Sequence, residues 1–226
     1  TIQRKLKDEP YLNVVTVEDP IEFKFDNISQ TQINNEITYS NALKSILRQD
    51  IDVIMVGEIR DYQTARMVME GGLTGHLVLS TLHAGTSARV IIRLIKMGIE
   101  PFLLSSSLIC ILTQRLVRKI CENCKKEFII NKKIIDKLGL PEGITLYKGS
   151  GCQQCRNTGY KGRIVIAELI ILDNAIREKI LEGVSINDIQ CFFKERGIKT
   201  IYEDGIEKVK QGITTIEEIK RVLQNE

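Results

Sequence analysis

Tryptophan is absent from this 226-residue sequence, histidine occurs only twice, and aromatic residues make up 5% of it. So few rings leave little material for the stacking platforms that read single-stranded nucleic acids. A surplus of charge is missing too. The 32 basic and 29 acidic residues give a net +3, too mild for a nucleic-acid binder. Long apolar runs are equally scarce. The longest stretch without a charge, 71–88, is crowded with Gly, Ser, Thr and His. The more apolar 101–114 falls short of the roughly 20 residues that cross a bilayer. No signal peptide opens the sequence. These absences predict a cytoplasmic protein with no transmembrane segment and no nucleic-acid partner. What is present, 43% hydrophobic and 27% charged residues, is ordinary for a soluble globular chain. Its length suits one main domain and a smaller appendage.

The stretch 51–61 reads Ile-Asp-Val-Ile-Met-Val-Gly-Glu-Ile-Arg-Asp. A short apolar run that stops on a turn residue predicts a buried, parallel strand. Chemistry in open α/β sheets collects at the carboxyl ends of such strands, where Glu58 stands. Two further stretches repeat the pattern. Leu12–Val17 runs into Glu18 and Asp19, and a strand beginning near His76 runs into His83. Three strands ending in Glu18/Asp19, Glu58 and His83 predict one polar site above one sheet edge.

Between them, Ser40 is the expected N-cap of a helix, and Asp61 that of a second helix over 62–70 that Gly71 and Gly72 end or kink. A third helix is expected over 87–97 and a buried one over 101–114. Residues 21–25 alternate like a half-exposed strand, and 1–10 suit the end of a helix. The last clear strand is expected over 162–172, with short helices from 174 onward. This alternation is the signature of an α/β sheet with parallel strands.

The segments VVTVEDPIEF, LRQDIDVIMVGEIRD and GHLVLSTLHAGTSA resemble the Asp box, Walker B and His box of the secretion ATPase superfamily. Within it, the chain resembles the assembly ATPases of type II secretion and type IV pili, nearly end to end. One departure stands out: the phosphate loop G-x-x-x-x-G-K-[ST] does not occur. The resemblance implies a RecA-like P-loop NTPase core and an ATP-hydrolysing subunit that powers pseudopilus or pilus assembly. It implies ATP and Mg²⁺, with Glu58 coordinating the ion directly or through water. Glu18 would position the attacking water with support from Asp19, an assignment that the two glutamates could exchange. His83 would contact the γ-phosphate, and Arg60 would reach phosphate or a neighbouring subunit, its structural alternative being an ion pair with Asp61 or Glu58. His76 reads as structural. Arg48, Arg89 and Arg93 are charge partners that spacing does not rank, and Gln30 and Gln32 carry no assignment. The implied assembly is a homohexamer peripheral to the inner membrane, in contact with a platform protein and a cytoplasmic anchoring protein. The competing reading, prompted by the missing loop, is a non-catalytic zinc-bearing interaction module or a degenerate subunit.

The second signal is Cys121-x-x-Cys124 with Cys152-x-x-Cys155. Paired knuckles of this spacing predict a tetrahedral Cys₄ zinc site with no open position, hence a structural one. Disulfides are the alternative, disfavoured in a reducing cytoplasm. The resemblance also implies zinc, since assembly ATPases carry such an insertion and retraction ATPases do not. Cys110 and Cys191 are expected as buried core thiols. The expected division is an ATPase core over 1–118, a zinc subdomain over 119–160, and a final strand with C-terminal helices over 161–226.

Overall fold

A computed structural model describes residue 9 and residues 11–128, 145–183 and 185–223. The chain divides into two compact units, one of 1–84, 88–111 and 171–192, the other of 85–87, 112–170 and 193–226.

The first unit is built on four parallel strands, β1 (Val14–Glu18), β2 (Ser29–Gln32), β3 (Val53–Val56) and β4 (Leu77–Ser80), in the order β2-β1-β3-β4. All of β1 and nearly all of β3 is buried. That is why they read as unbroken runs of Val, Ile and Met rather than as alternating patterns. The register pairs Val17 with Val56 and Val56 with Ser80, so the three strands end level. Beyond that level the ladder continues, Gly57 N donating to Val17 O and Ile59 N to Thr81 O. At the far side β4 pairs with β3 alone among the described residues, and Leu77 on it is 43% exposed.

Helices α1 (Tyr39–Ile46), α2 (Tyr62–Leu73), α3 (Ser87–Lys96), α4 (Pro101–Ser107) and α5 (Asn174–Leu181) follow in order. Asp61 caps α2 as expected, Oδ1 accepting from Thr64 N at 2.8 Å. The cap of α1 is Thr38 rather than Ser40: Oγ1 of Thr38 accepts from Asn41 N at 3.2 Å. Helix α2 also passes through Gly71 and Gly72 instead of stopping there. A Cβ at Gly71 would come within 3.0 Å of Leu47 and 3.2 Å of Val78, so the glycine serves close packing, not termination.

Two further expectations fail for physical reasons. Residues 101–114 are not one helix: α4 ends at Ser107 and β5 (Cys110–Ile120) begins, its residues alternating between exposed and buried. Residues 21–25 form no strand, because the Gln30 side chain takes their backbone groups. Its amide donates to Phe23 O and accepts from Phe25 N, each at 2.9 Å. The suggested helix end over 1–10 lies almost wholly outside the described residues.

The second unit contains most of β5 and of β8 (Tyr160–Ile171), which pair as a two-stranded sheet, and the antiparallel hairpin β6 (Lys125–Phe128) and β7 (Leu146–Gly149). After α6 (Ile186–Glu195), helices α7 (Ile201–Lys210) and α8 (Ile216–Leu223) close the core. Val117, Ile166, Ile206, Val209 and Ile219 meet there. Glu218 on α8, 1% exposed, takes Arg118 N and the guanidiniums of Arg118 and Arg221 at 2.7–3.0 Å. Ile120 N donates to Ile213 O, and Thr214 Oγ1 to Arg118 O. The segment before α8 is therefore tied to the end of β5, one residue before Cys121.

Candidate active site and metal centre

In the first unit, the carboxyl ends of β1, β3 and β4 bring together the residues that the sequence singled out. Glu18 is the last residue of β1 and is 7% exposed. Thr16 Oγ1 and Gln30 Nε2 donate to its Oε1 at 2.6 and 2.9 Å. Glu58 follows the glycine after β3; one oxygen pairs with Arg60 and the other stands 3.7 Å from His83 Nε2. The Arg60 hydrogen bond holds the Glu58 carboxyl below its usual pKa. Arg60 also reaches Asp19 at 3.4 Å, so its ion pairs are with Glu58 and Asp19, while Asp61 is occupied as the α2 cap. His83 is exposed, and Arg93 donates to its backbone oxygen at 2.7 Å. His76 is structural: its Nδ1 lies 3.0 Å from Thr74 Oγ1 and 3.2 Å from Gly71 O at the end of α2.

Carboxylate oxygens, an imidazole and a guanidinium on one sheet edge suit a hard cation and a phosphate group together. Two contributors had no assignment in the sequence. Gln30 is one, and only its place in the register beside β1 reveals it. Tyr39 is the other: first residue of α1 and 8% exposed, it lines an open cleft of about 620 Å³ with Asp19, Thr38, Arg60 and Asp61.

In the second unit, two one-turn knuckles, Glu122–Cys124 and Gln153–Cys155, bring four sulfurs together. The Sγ separations are 3.9 Å for Cys121–Cys152, 3.8 Å for Cys124–Cys155 and 3.7 Å for Cys152–Cys155. A tetrahedron with Zn–S bonds of about 2.3 Å has edges of about 3.8 Å, so the set fits zinc and none of these pairs is a disulfide. Donors turn toward the sulfurs as thiolate ligands require: Cys152 N and Gly159 N to Cys155 Sγ at 3.2 and 3.3 Å, Asn123 Nδ2 to Cys152 Sγ at 3.4 Å. The Asn123 contact pulls the Cys152 thiol down to about 6, whereas burial pushes Cys124 up to about 11. Gly149 is obligatory, since a Cβ there would lie 2.0 Å from Gly159 O. Cys110 and Cys191, expected in the core, are exposed, on outward positions of β5 and α6. Among the described residues no helix is long and apolar enough to cross a membrane.

Comparison with known proteins agrees with this arrangement. The family described as type II/IV secretion system protein matches residues 2–221. The type IV pilus assembly ATPase PilB of Thermus thermophilus is 49% identical over 216 residues, covering 93% of this chain and 24% of that protein. Type II secretion system protein E of Dickeya dadantii is 47% identical over 216 residues, covering 95% of this chain and 43% of that protein. Among solved structures, the pilus retraction motor PilT with bound ADP superposes with a TM-score of 0.71 at 26% identity, covering 97% of this chain and 55% of that one. The Legionella pneumophila ATPase DotB, at 21% identity and a TM-score of 0.68, shares the fold. The chain thus spans a quarter to less than half of these curated relatives' length. Its fold is the RecA-like α/β fold of secretion ATPases, and the chain belongs to the type II/IV secretion system protein family.

Proposed function

We propose that these residues form the C-terminal ATPase region of a motor subunit that hydrolyses ATP to power pilus or pseudopilus assembly. The observation that carries this reading is the level ending of β1, β3 and β4, with Glu18, Glu58 and His83 at one edge. Glu58 would hold Mg²⁺ directly or through water, and that ion, when bound, offsets the charge of the phosphate oxygens. Glu18, fixed by Thr16 and Gln30, orients the attacking water, with support from the neighbouring Asp19. His83 contacts the γ-phosphate, and Arg60 turns from its carboxylate partners to phosphate or to a neighbouring subunit.

The four cysteines hold a structural Zn²⁺ within a subdomain over 119–160, between a core over 1–118 and a C-terminal part over 161–226. The working assembly is a homohexamer, cytoplasmic and peripheral to the inner membrane, engaging the platform and anchoring proteins of the secretion or pilus machine. MgATP hydrolysis by the native polypeptide tests the reading. Glu58→Gln and Glu18→Gln should each lower turnover by at least about a hundredfold without changing the melting temperature by more than a few degrees. No MgATP turnover in the native polypeptide would leave the non-catalytic interaction module as the better reading, and wild-type turnover in both variants would overturn the roles given to the two glutamates.

A further inference from the structure

Tyr39 is 8% exposed as a residue, yet its hydroxyl has no hydrogen-bond partner among the described residues. Buried hydroxyls are rarely left so, because the desolvation they suffer goes uncompensated. Its location is fixed from two sides. Thr38 caps α1 and sets the ring at the first helical position, facing the sheet. On the sheet, a Cβ at Gly57 would lie 3.0 Å from Tyr39 Oη and 3.2 Å from Val17 O. The hydroxyl therefore rests over Gly57, the residue joining β3 to Glu58. A side chain at that position would press on the hydroxyl and on Val17 O, a relation the sequence did not reveal. The ring lines the same cleft as Asp19 and Arg60.

We propose that Tyr39 is a positioning residue of the proposed ATPase site, its hydroxyl donating a hydrogen bond over Gly57 to the attacking water that Glu18 orients. The inference rests on the catalytic reading above and adds to it a donor contributed by α1. Burial, followed by the charges of Asp19 and Glu58, raises the tyrosine's pKa, which keeps the hydroxyl protonated and able to donate.

The test is Tyr39→Phe in the native polypeptide, which removes one oxygen and keeps the ring, with Glu58→Gln measured in parallel. A donor that orients water acts on the reaction step more than on nucleotide binding. Tyr39→Phe should therefore lower kcat for MgATP about tenfold, leave KM within about twofold, and leave the melting temperature unchanged or raised. Unchanged kcat with a damaging Glu58→Gln would overturn the tyrosine's role and leave the site reading intact. A fall in kcat matched by a fall in melting temperature would make Tyr39 a packing residue and overturn it as well. If Glu58→Gln itself proved harmless, the site reading would fall and this inference with it.

Discussion

Gln30 donates its amide to Oε1 of Glu18 at 2.9 Å, the same oxygen that receives the Thr16 hydroxyl at 2.6 Å. Glu18 is nearly buried, so its charge rests on these donors more than on bulk water. Gln30 is itself held by the backbone of Phe23 and Phe25, which fixes the direction of its amide. Gln30→Leu is expected to cost about 1–3 kcal/mol of stability by leaving Glu18 and two backbone groups short of partners. In the native polypeptide it should also lower MgATP turnover severalfold. Denaturant midpoints and steady-state turnover check both, and a loss of stability with full turnover would confine Gln30 to a structural role.

The sulfur tetrahedron predicts one zinc per chain, measurable by elemental analysis of protein purified without chelator. Cys124→Ser should abolish stoichiometric binding and destabilise the second unit by several kcal/mol, since the ligand set closes on the ion with no spare position. Gly149→Ala leaves all four sulfurs in the sequence but drives a methyl into Gly159 O. It should lose zinc nearly as completely as the ligand variant. Full zinc content in Gly149→Ala would mean that the hairpin is not as tightly closed as described.

Glu218 sets the acid sensitivity of the same unit. Burial opposes its charge, but Arg221 and Arg118 hold its pKa at about 2 against an ordinary 4.5. A depressed carboxyl stabilises the fold fully above its unfolded pKa, and that contribution drains away as pH falls from about 4.5 toward 2. Glu218→Gln should therefore flatten the stability curve across that window. At neutral pH it should cost about 1–3 kcal/mol, because the two arginines that lose their buried partner are themselves about half exposed and screened by water. Urea titrations at several pH values between 7 and 3 are the measurement, and an unchanged acid limb in the variant would count against this assignment.

The 226 residues by themselves should bind MgATP weakly and hydrolyse it negligibly. Backbone N–H groups and the lysine of a phosphate loop supply much of the grip on the phosphates, and no such loop occurs in the sequence. Calorimetry with MgATP and a phosphate-release assay decide the point. Turnover matching the native polypeptide would show that the grip comes from elsewhere.

The parallel sheet was readable because β1 and β3 are buried on both faces, which forces continuous β-branched and aliphatic runs ending at level carboxylates. The metal centre was readable because thiolate ligands need fixed spacing. The polar stretch 27–38 reads as a loop with short extended pieces, and that Ser29–Gln32 is a strand of the sheet was not legible because it carries no apolar signal and owes its place to pairing with β1. Residues 101–114 misled because a helix end and the buried half of an alternating strand together look uniformly apolar. Tyr39 was illegible for another reason: its relation to Gly57 spans α1 and β3 and leaves no local pattern.

Strand β4 closes the described sheet with one neighbour, and Leu77 on it is exposed. An uncovered edge of this kind offers a row of N–H and C=O groups to any other chain that can extend alongside it. In concentrated solution these residues by themselves are therefore expected to self-associate through that edge, at temperatures where both units remain folded. Additives that strengthen apolar burial would aggravate the problem, and a charged residue placed at Leu77 would relieve it.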